Sequence, residues 1–291
     1  MLHAKIRDGG GWHPQSGPGF SRWIGTYGAQ DSARSCGGQE TAWLTLDPEN
    51  VLVIETSKGT VMVEMRPDLA PKAVERIKLL AREGVYDGLQ FHRVIDLFVA
   101  QTGNPNNQDG GTSEHPNLEP EFSARLPSDA DWVQVTNSVD ANSGFLGSMP
   151  ILTVSDAETR RRDVDNFQAW GAYCPGVAGM GRGEDIGSAN SEIFFMRGAS
   201  SFRLGLDYTA WGNTVIGEPV IRALTAGEPP ANPDTMRQVR VLADIPADER
   251  PTVQILNPQS DEFQAVISQK RAERGADFSI CDLTVPARVV D

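Results

Sequence analysis

The chain has 291 residues, length for about two domains, and carries 26 Lys+Arg against 39 Asp+Glu, a net charge of −13. A surface that acidic repels phosphate backbones and anionic lipid, which argues against nucleic-acid and membrane-surface roles, and no run approaches the ~20 apolar residues of a membrane span. Its 29 glycines and 19 prolines are about one residue in six, above the usual share of roughly 12%, so the composition points to a mainly β, turn-rich fold large enough to need neither disulfide nor metal for its core.

Residues 1–47 read as a Gly/Ser/Gln-rich leader, flexible or accessory. They lack the basic start and apolar stretch of about 7–15 residues of a secretory signal, which as written implies a cytoplasmic protein. Organised chain begins after Asp47-Pro48. Val51–Thr56 and Thr60–Met65 are β-branched runs joined by Ser57-Lys58-Gly59, a hairpin. Pro71 opens a helix whose apolar face is Ala73, Val74, Ile77, Leu80 and Ala81, and Gly84 ends it. Phe91–Ile95 and Phe98–Gln101 are short strands, and 104–117 is loop. From about Pro127 to Pro175 the pattern is irregular, with one helix near Ser155–Gln168. Val177–Met180 and Ile193–Met196 are buried strands, Trp211–Ile216 a further strand, Pro219–Ala226 a short helix and Val239–Ala243 a closing strand. After Ile245-Pro246 comes an extension, 246–291, with a polar helix over Asp261–Arg274. Helices do not alternate with strands as parallel βαβ units demand, so a closed antiparallel barrel is expected.

Nothing in the chain matches the phosphate-loop, nucleophile-elbow or zincin motifs. Cys36, Cys174, Cys281, His3, His13, His92 and His115 show no metal-ligand spacing, so no metal and no cofactor is expected. Gly179-Met180-Gly181-Arg182-Gly183 is not followed by an amphipathic helix and reads as a loop packed close to a neighbour. Arg160, Arg161 and Arg162 read as a solvated helix face. Arg93, inside an apolar strand, faces either water or a cleft, because an unpaired buried charge is costly.

Phe91-His92-Arg93-Val94-Ile95 with Phe98-Val99-Ala100-Gln101-Thr102-Gly103 resembles the F-H-R-[VI]-I-x-x-F-x-x-Q-x-G block of cyclophilin peptidyl-prolyl isomerases. Gly176–Met180, Ser188–Phe195 and Leu206–Gly212 resemble three further blocks, in the family's order, and Val51–Gly84 resembles its first hairpin and helix. The resemblance covers about residues 50–245 and is interrupted by the segment at about 127–175. With the acidic, proline-rich stretch GEPPANPD and the C-terminal extension, the whole is most similar to a longer bacterial cyclophilin.

The resemblance implies a closed eight-stranded antiparallel barrel over 48–245 capped by two helices, with the extension packed on it. It implies an enzyme that speeds rotation about X–Pro bonds in peptides and in unfolded or partly folded proteins. Arg93 falls on the family's catalytic arginine. Phe98, Val99, Phe195 and Leu204 fall on the proline pocket, Gln101 on the residue that binds substrate backbone, and Tyr208 where the family has His or Tyr. From periodicity alone these aromatics read equally as core. Gly181, Arg182 and Ile193 occupy substrate-contacting places with altered residues, Ile193 standing where Gln usually precedes Phe-Phe and Glu192 one residue earlier. His92 reads as structural, on the opposite face of its strand from Arg93. Arg203 occupies the place of a tryptophan in cyclosporin-sensitive members, so weak cyclosporin binding is expected. Ile193 and Arg182 also leave open a rival reading, a catalytically weak prolyl-peptide-binding module or holdase chaperone. Similar extended bacterial cyclophilins imply a periplasmic location, against the cytoplasm that the written N-terminus suggests.

Cys174 and Cys281 both sit among apolar residues. Two readings stand: a pair of buried thiols, or a disulfide fastening the extension beside the insertion and implying an oxidising compartment. Cys36 is expected to stay unpaired in either.

Overall fold

The computed structural model describes residues 42–105, 109–163, 165–200 and 204–290. The expectations for Cys36 and Arg203 lie outside these residues. β1 (Trp43–Thr45) precedes the hairpin of β2 (Val51–Thr56) and β3 (Gly59–Met65), which pair from Val51↔Glu64 to Thr56↔Gly59. α1 (Pro71–Arg82) starts on its proline and buries Ala73, Val74, Ile77, Leu80 and Ala81, the face that the apolar spacing selects. β4 (Arg93–Val94) and β5 (Val99–Thr102) follow. Next come β6 (Ala124–Pro127), β7 (Trp132–Thr136), β8 (Ala141–Leu146), β9 (Met149–Val154), α2 (Asp156–Arg162) and β10 (Asn166–Gly171). β11 (Val177–Met180), β12 (Ile193–Met196), β13 (Ala210–Ile216), α3 (Glu218–Arg222) and β14 (Met236–Val241) come after them. β15 (Thr252–Leu256), α4 (Asp261–Arg274) and β16 (Ala287–Val290) end the chain.

Eight strands form one antiparallel sheet in the order β14-β2-β3-β13-β11-β12-β5-β4. The sheet curls but does not close, which corrects the expectation of a closed barrel. Its edge strands are joined to no common ladder. The edges meet at two isolated bridges, Gln90 with Thr235 and Val94 with Gly227, and at backbone hydrogen bonds between residues 88–91 and 234–236. The chain supplies the reason: Pro229, Pro230 and Pro233 lie between those contacts and have no N–H to give a ladder. Four α-helices lie among the described residues, at the four places where the sequence pattern puts them and two more than the pair of barrel caps that the resemblance implies. α1 and α3 pack their apolar residues into the cluster inside the curl, where Leu52, Val63, Tyr86, Phe91, Ile193, Phe195 and Trp211 also meet.

The stretch expected to be irregular is a second antiparallel sheet, ordered β6-β10-β9-β8-β7. β8 reads Ala-Asn-Ser-Gly-Phe-Leu, a composition poor in strand formers. Packing overrides it, because Asn142 and Ser143 are buried and Asn142 donates to Asp156. The helix expected over Ser155–Gln168 ends at Arg162, and its last residues belong instead to β10.

β15 lies between β1 and β16, so residues just before the barrel and residues of the extension share a three-stranded sheet. Cys174 and Cys281 are bonded, with Cα atoms 5.0 Å apart and a sequence separation of 107. The bond crosses a second hydrophobic cluster, on the outer face of the curled sheet, that joins it to the insertion and the extension. No helix among the described residues is long and apolar enough to cross a membrane.

Candidate active site

Cross-strand register places the site residues. Arg93 of β4 lies opposite Gln101 of β5, Gln101 opposite Phe194 of β12, and Phe194 opposite Gly179 of β11. Directly opposed residues share a sheet face, so these four form a row across the outer face. Gly179 is required there: a Cβ on it would stand 2.3 Å from Phe194 Cζ, so the bare backbone lets the ring lie flat on the sheet. Phe194 also packs against Tyr173 and Tyr208, with ring centroids 5.9 and 5.8 Å away. The Tyr173 hydroxyl donates to the Tyr208 carbonyl at 2.9 Å and fixes that segment. Val99 and Leu204 are buried and Phe98 and Tyr208 half-buried in the same apolar cluster as Phe194.

At the β4 end of the row the Arg93 guanidinium has two acceptors. Its Nη1 donates to Gln101 Oε1, and its Nε donates to Glu228 Oε2 at 2.8 Å. The Phe98 ring centroid lies 5.9 Å from its central carbon. Glu228 is held there by its neighbour Gly227, whose backbone exchanges two 2.9 Å hydrogen bonds with Val94. Behind Gln101 sits Glu192, only 3% exposed. Its carboxylate accepts from Gly110 N at 2.6 Å, from His92 Nε2 at 2.9 Å and from Gln101 Nε2 at 3.4 Å. Because a carboxylate only accepts, Gln101 turns its NH2 towards Glu192 and its oxygen towards Arg93, and His92 carries its proton on Nε2. A buried carboxylate needs such partners, and Gly110 with φ +84° brings its N–H within reach where a Cβ would meet Ser188 O at 2.3 Å.

Arg93, Phe98, Val99, Gln101, Leu204 and Tyr208 therefore gather on one face. Gly181 joins them by donating its N–H to the Glu192 carbonyl at 2.8 Å. Arg182 stacks on the Tyr208 ring at 4.5 Å and donates to the carbonyls of Asp207 and Gly183. Ile193 and Phe195 are corrections. Both point into the cluster inside the curl, and Phe195 packs edge-on against Trp211 at 6.2 Å. Strand alternation explains the error, because a register shift of one residue moves every side chain to the other face. The residues on the face of Arg93 and Gln101 are Glu192 and Phe194. His92, expected to be structural, joins the network through Glu192. Glu228 and Gly110 were also missed. The glycines of DGG and the acidic residue of GEPP were their visible traces, but neither shows in sequence which strand it will meet.

Residues 51–243 match the family described as cyclophilin type peptidyl-prolyl cis-trans isomerase/CLD. Over 218 residues, 73% of this chain and 92% of the relative, the chain is 32% identical to a probable peptidyl-prolyl cis-trans isomerase of Brucella suis. It is 48% identical over 62 residues to a Helicobacter pylori peptidyl-prolyl cis-trans isomerase, 21% of this chain and 38% of that one. The crystal structure of cyclophilin AquaCyp293 from Hirschia baltica superposes with a TM-score of 0.78 at 30% identity, covering 85% of this chain and 93% of that one. That likeness reaches beyond the family match. These matches settle the family: the chain belongs to the cyclophilin-type peptidyl-prolyl cis-trans isomerases.

Proposed function

We propose that Arg93 is the electrostatic catalyst and that the pocket of Phe98, Val99, Phe194, Leu204 and Tyr208 holds the proline ring. The barrier to rotation about a peptide bond is ~18–20 kcal/mol, because rotation breaks amide resonance. As the amide twists, its nitrogen pyramidalises and gains electron density. A donor already fixed beside that nitrogen stabilises the twisted state more than the planar one and lowers the barrier. No covalent bond breaks, so the chemistry is complete with a pocket, a donor and an anchor for the backbone.

The single observation that carries this reading is the fixed guanidinium. Gln101 takes Nη1 and Glu228 takes Nε, which leaves Nη2 to address the substrate amide. Glu192 acts one step behind, by orienting the Gln101 amide. Arginine suits the role better than lysine, since its donors are planar and fixed in direction. We read Glu192, on the Gln101 face, as standing for the family's glutamine in place of Ile193, which weakens one of the two motives for a weak binding module.

The substrates we assign are proline-containing peptides and unfolded or partly folded proteins. We also place the protein in an oxidising compartment such as the periplasm, a reading that the Cys174–Cys281 bond supports. The test is cis–trans exchange of an X–Pro peptide followed with wild-type protein and Arg93→Ala. The substitution is expected to lower kcat/KM by roughly 10²–10³-fold with the fold intact. Near-wild-type turnover by the variant contradicts the mechanism.

A further inference from the structure

The arginine assigned to catalysis is held by a carboxylate, Glu228, whose acceptor capacity goes beyond that one bond. Glu228 stands beyond the edge of the curled sheet: reading outwards, the order is Phe194 on β12, Gln101 on β5, Arg93 on β4, then Glu228 across the Val94–Gly227 bridge. In the orientation we assign, a peptide with its proline beside Phe194 and its twisting amide at Arg93 runs one flank towards that edge, where Glu228 is the acidic neighbour of Arg93. The residue is 54% exposed, and only one of its oxygens is taken by Arg93, so the carboxylate retains acceptor sites facing solvent. It is not a loose surface side chain. The two backbone hydrogen bonds between Gly227 and Val94 set its distance from Arg93, and Asp234 ties the same segment through Thr225 N at 2.8 Å and Ser57 Oγ at 2.6 Å.

We propose that Glu228 forms a subsite for a cationic side chain flanking the isomerised proline, so that the enzyme selects basic prolyl segments. The proposal rests on the isomerase reading above. The net charge of −13 adds long-range attraction for such segments, while Glu228 supplies the local choice.

The test compares NMR-detected cis–trans exchange for peptides that differ only in Lys, Ala or Glu at the residue before or after proline. In wild type, Lys peptides are expected to exceed Glu peptides in kcat/KM by about tenfold at one flank, an advantage that shrinks as salt is added. Glu228→Gln should bring that ratio close to one, and Glu228→Lys should invert it. A wild-type ratio near one, or a ratio that both substitutions leave in place, overturns the proposal. The Ala peptide separates the two claims: its turnover by wild type with no charge preference defeats the subsite alone, while no turnover of any peptide defeats the isomerase reading.

Discussion

The curled sheet carries a hydrophobic cluster on each face, and the two are built differently. The inner one draws on β2, β3, β5, β11, β12, β13 and β14 and is covered by α1 and α3. The outer one contains groove residues Val99, Phe194 and Leu204 together with Phe145 and Phe167 of the insertion and Ile255, Phe263 and Ile280 of the extension. β12 contributes to both, its side chains alternating between them. The inner cluster closes around one sheet. The outer cluster must gather segments far apart in sequence, and it is the one that a disulfide crosses. Substrate binding is thus assigned to the face whose assembly carries the larger chain-entropy cost.

The largest expected effect breaks this contrast at the disulfide. For a loop of 107 residues the chain-entropy model gives about 4–5 kcal/mol of stabilisation. Replacing Cys174 and Cys281 with serine should lower the urea midpoint accordingly. Amide exchange should speed up first in β15, α4 and the insertion sheet, while β2 and β3 stay protected. Uniform loss of protection, or no change in midpoint, would mean that the outer cluster does not depend on the tie.

A smaller effect sharpens the picture at the sheet edge. Burial works against ionisation of Asp234, but hydrogen bonds from Ser57 and Thr225 and the charge of Lys58 outweigh it and hold its carboxyl below the usual value of 3.8. A depressed folded-state value means that the carboxylate adds stability above pH 3.8 and loses it as pH falls through the folded value. Asp234→Asn should therefore cost about 1 kcal/mol at pH 7. The gap between variant and wild type should close as the pH falls below about 4. A gap that is unchanged by acid would assign the loop's anchoring to other contacts.

Much of this was legible in the sequence. The hairpin over 51–65, the helix from Pro71, the Phe-His-Arg block and the polar helix over Asp261–Arg274 stand where their patterns place them, because each is set by local periodicity, proline or a capping residue. Arg93 and Gln101 were legible because both lie in one contiguous block. The insertion sheet was not, since Asn142, Ser143 and Gly144 are poor strand formers that gain strand geometry only by pairing with the adjacent strands β7 and β9. Nor was the face of β12. Ser-Glu-Ile-Phe-Phe offers two aromatics in a row, and only pairing with Gln101 decides which one enters the groove.

That decision is also the most direct point of test, by comparing Phe194→Ala with Phe195→Ala. Truncating a fully buried phenylalanine costs about 3–5 kcal/mol, so Phe195→Ala should lower stability markedly while kcat/KM per folded molecule stays near wild type. Phe194 is buried too, so Phe194→Ala should cost comparable stability, but it should also lose kcat/KM per folded molecule by about tenfold or more, because it removes the ring assigned to the proline pocket. If instead Phe195→Ala abolished turnover in folded protein and Phe194→Ala left it intact, the groove would lie on the other face of the strand and the assignment of this active site would be wrong.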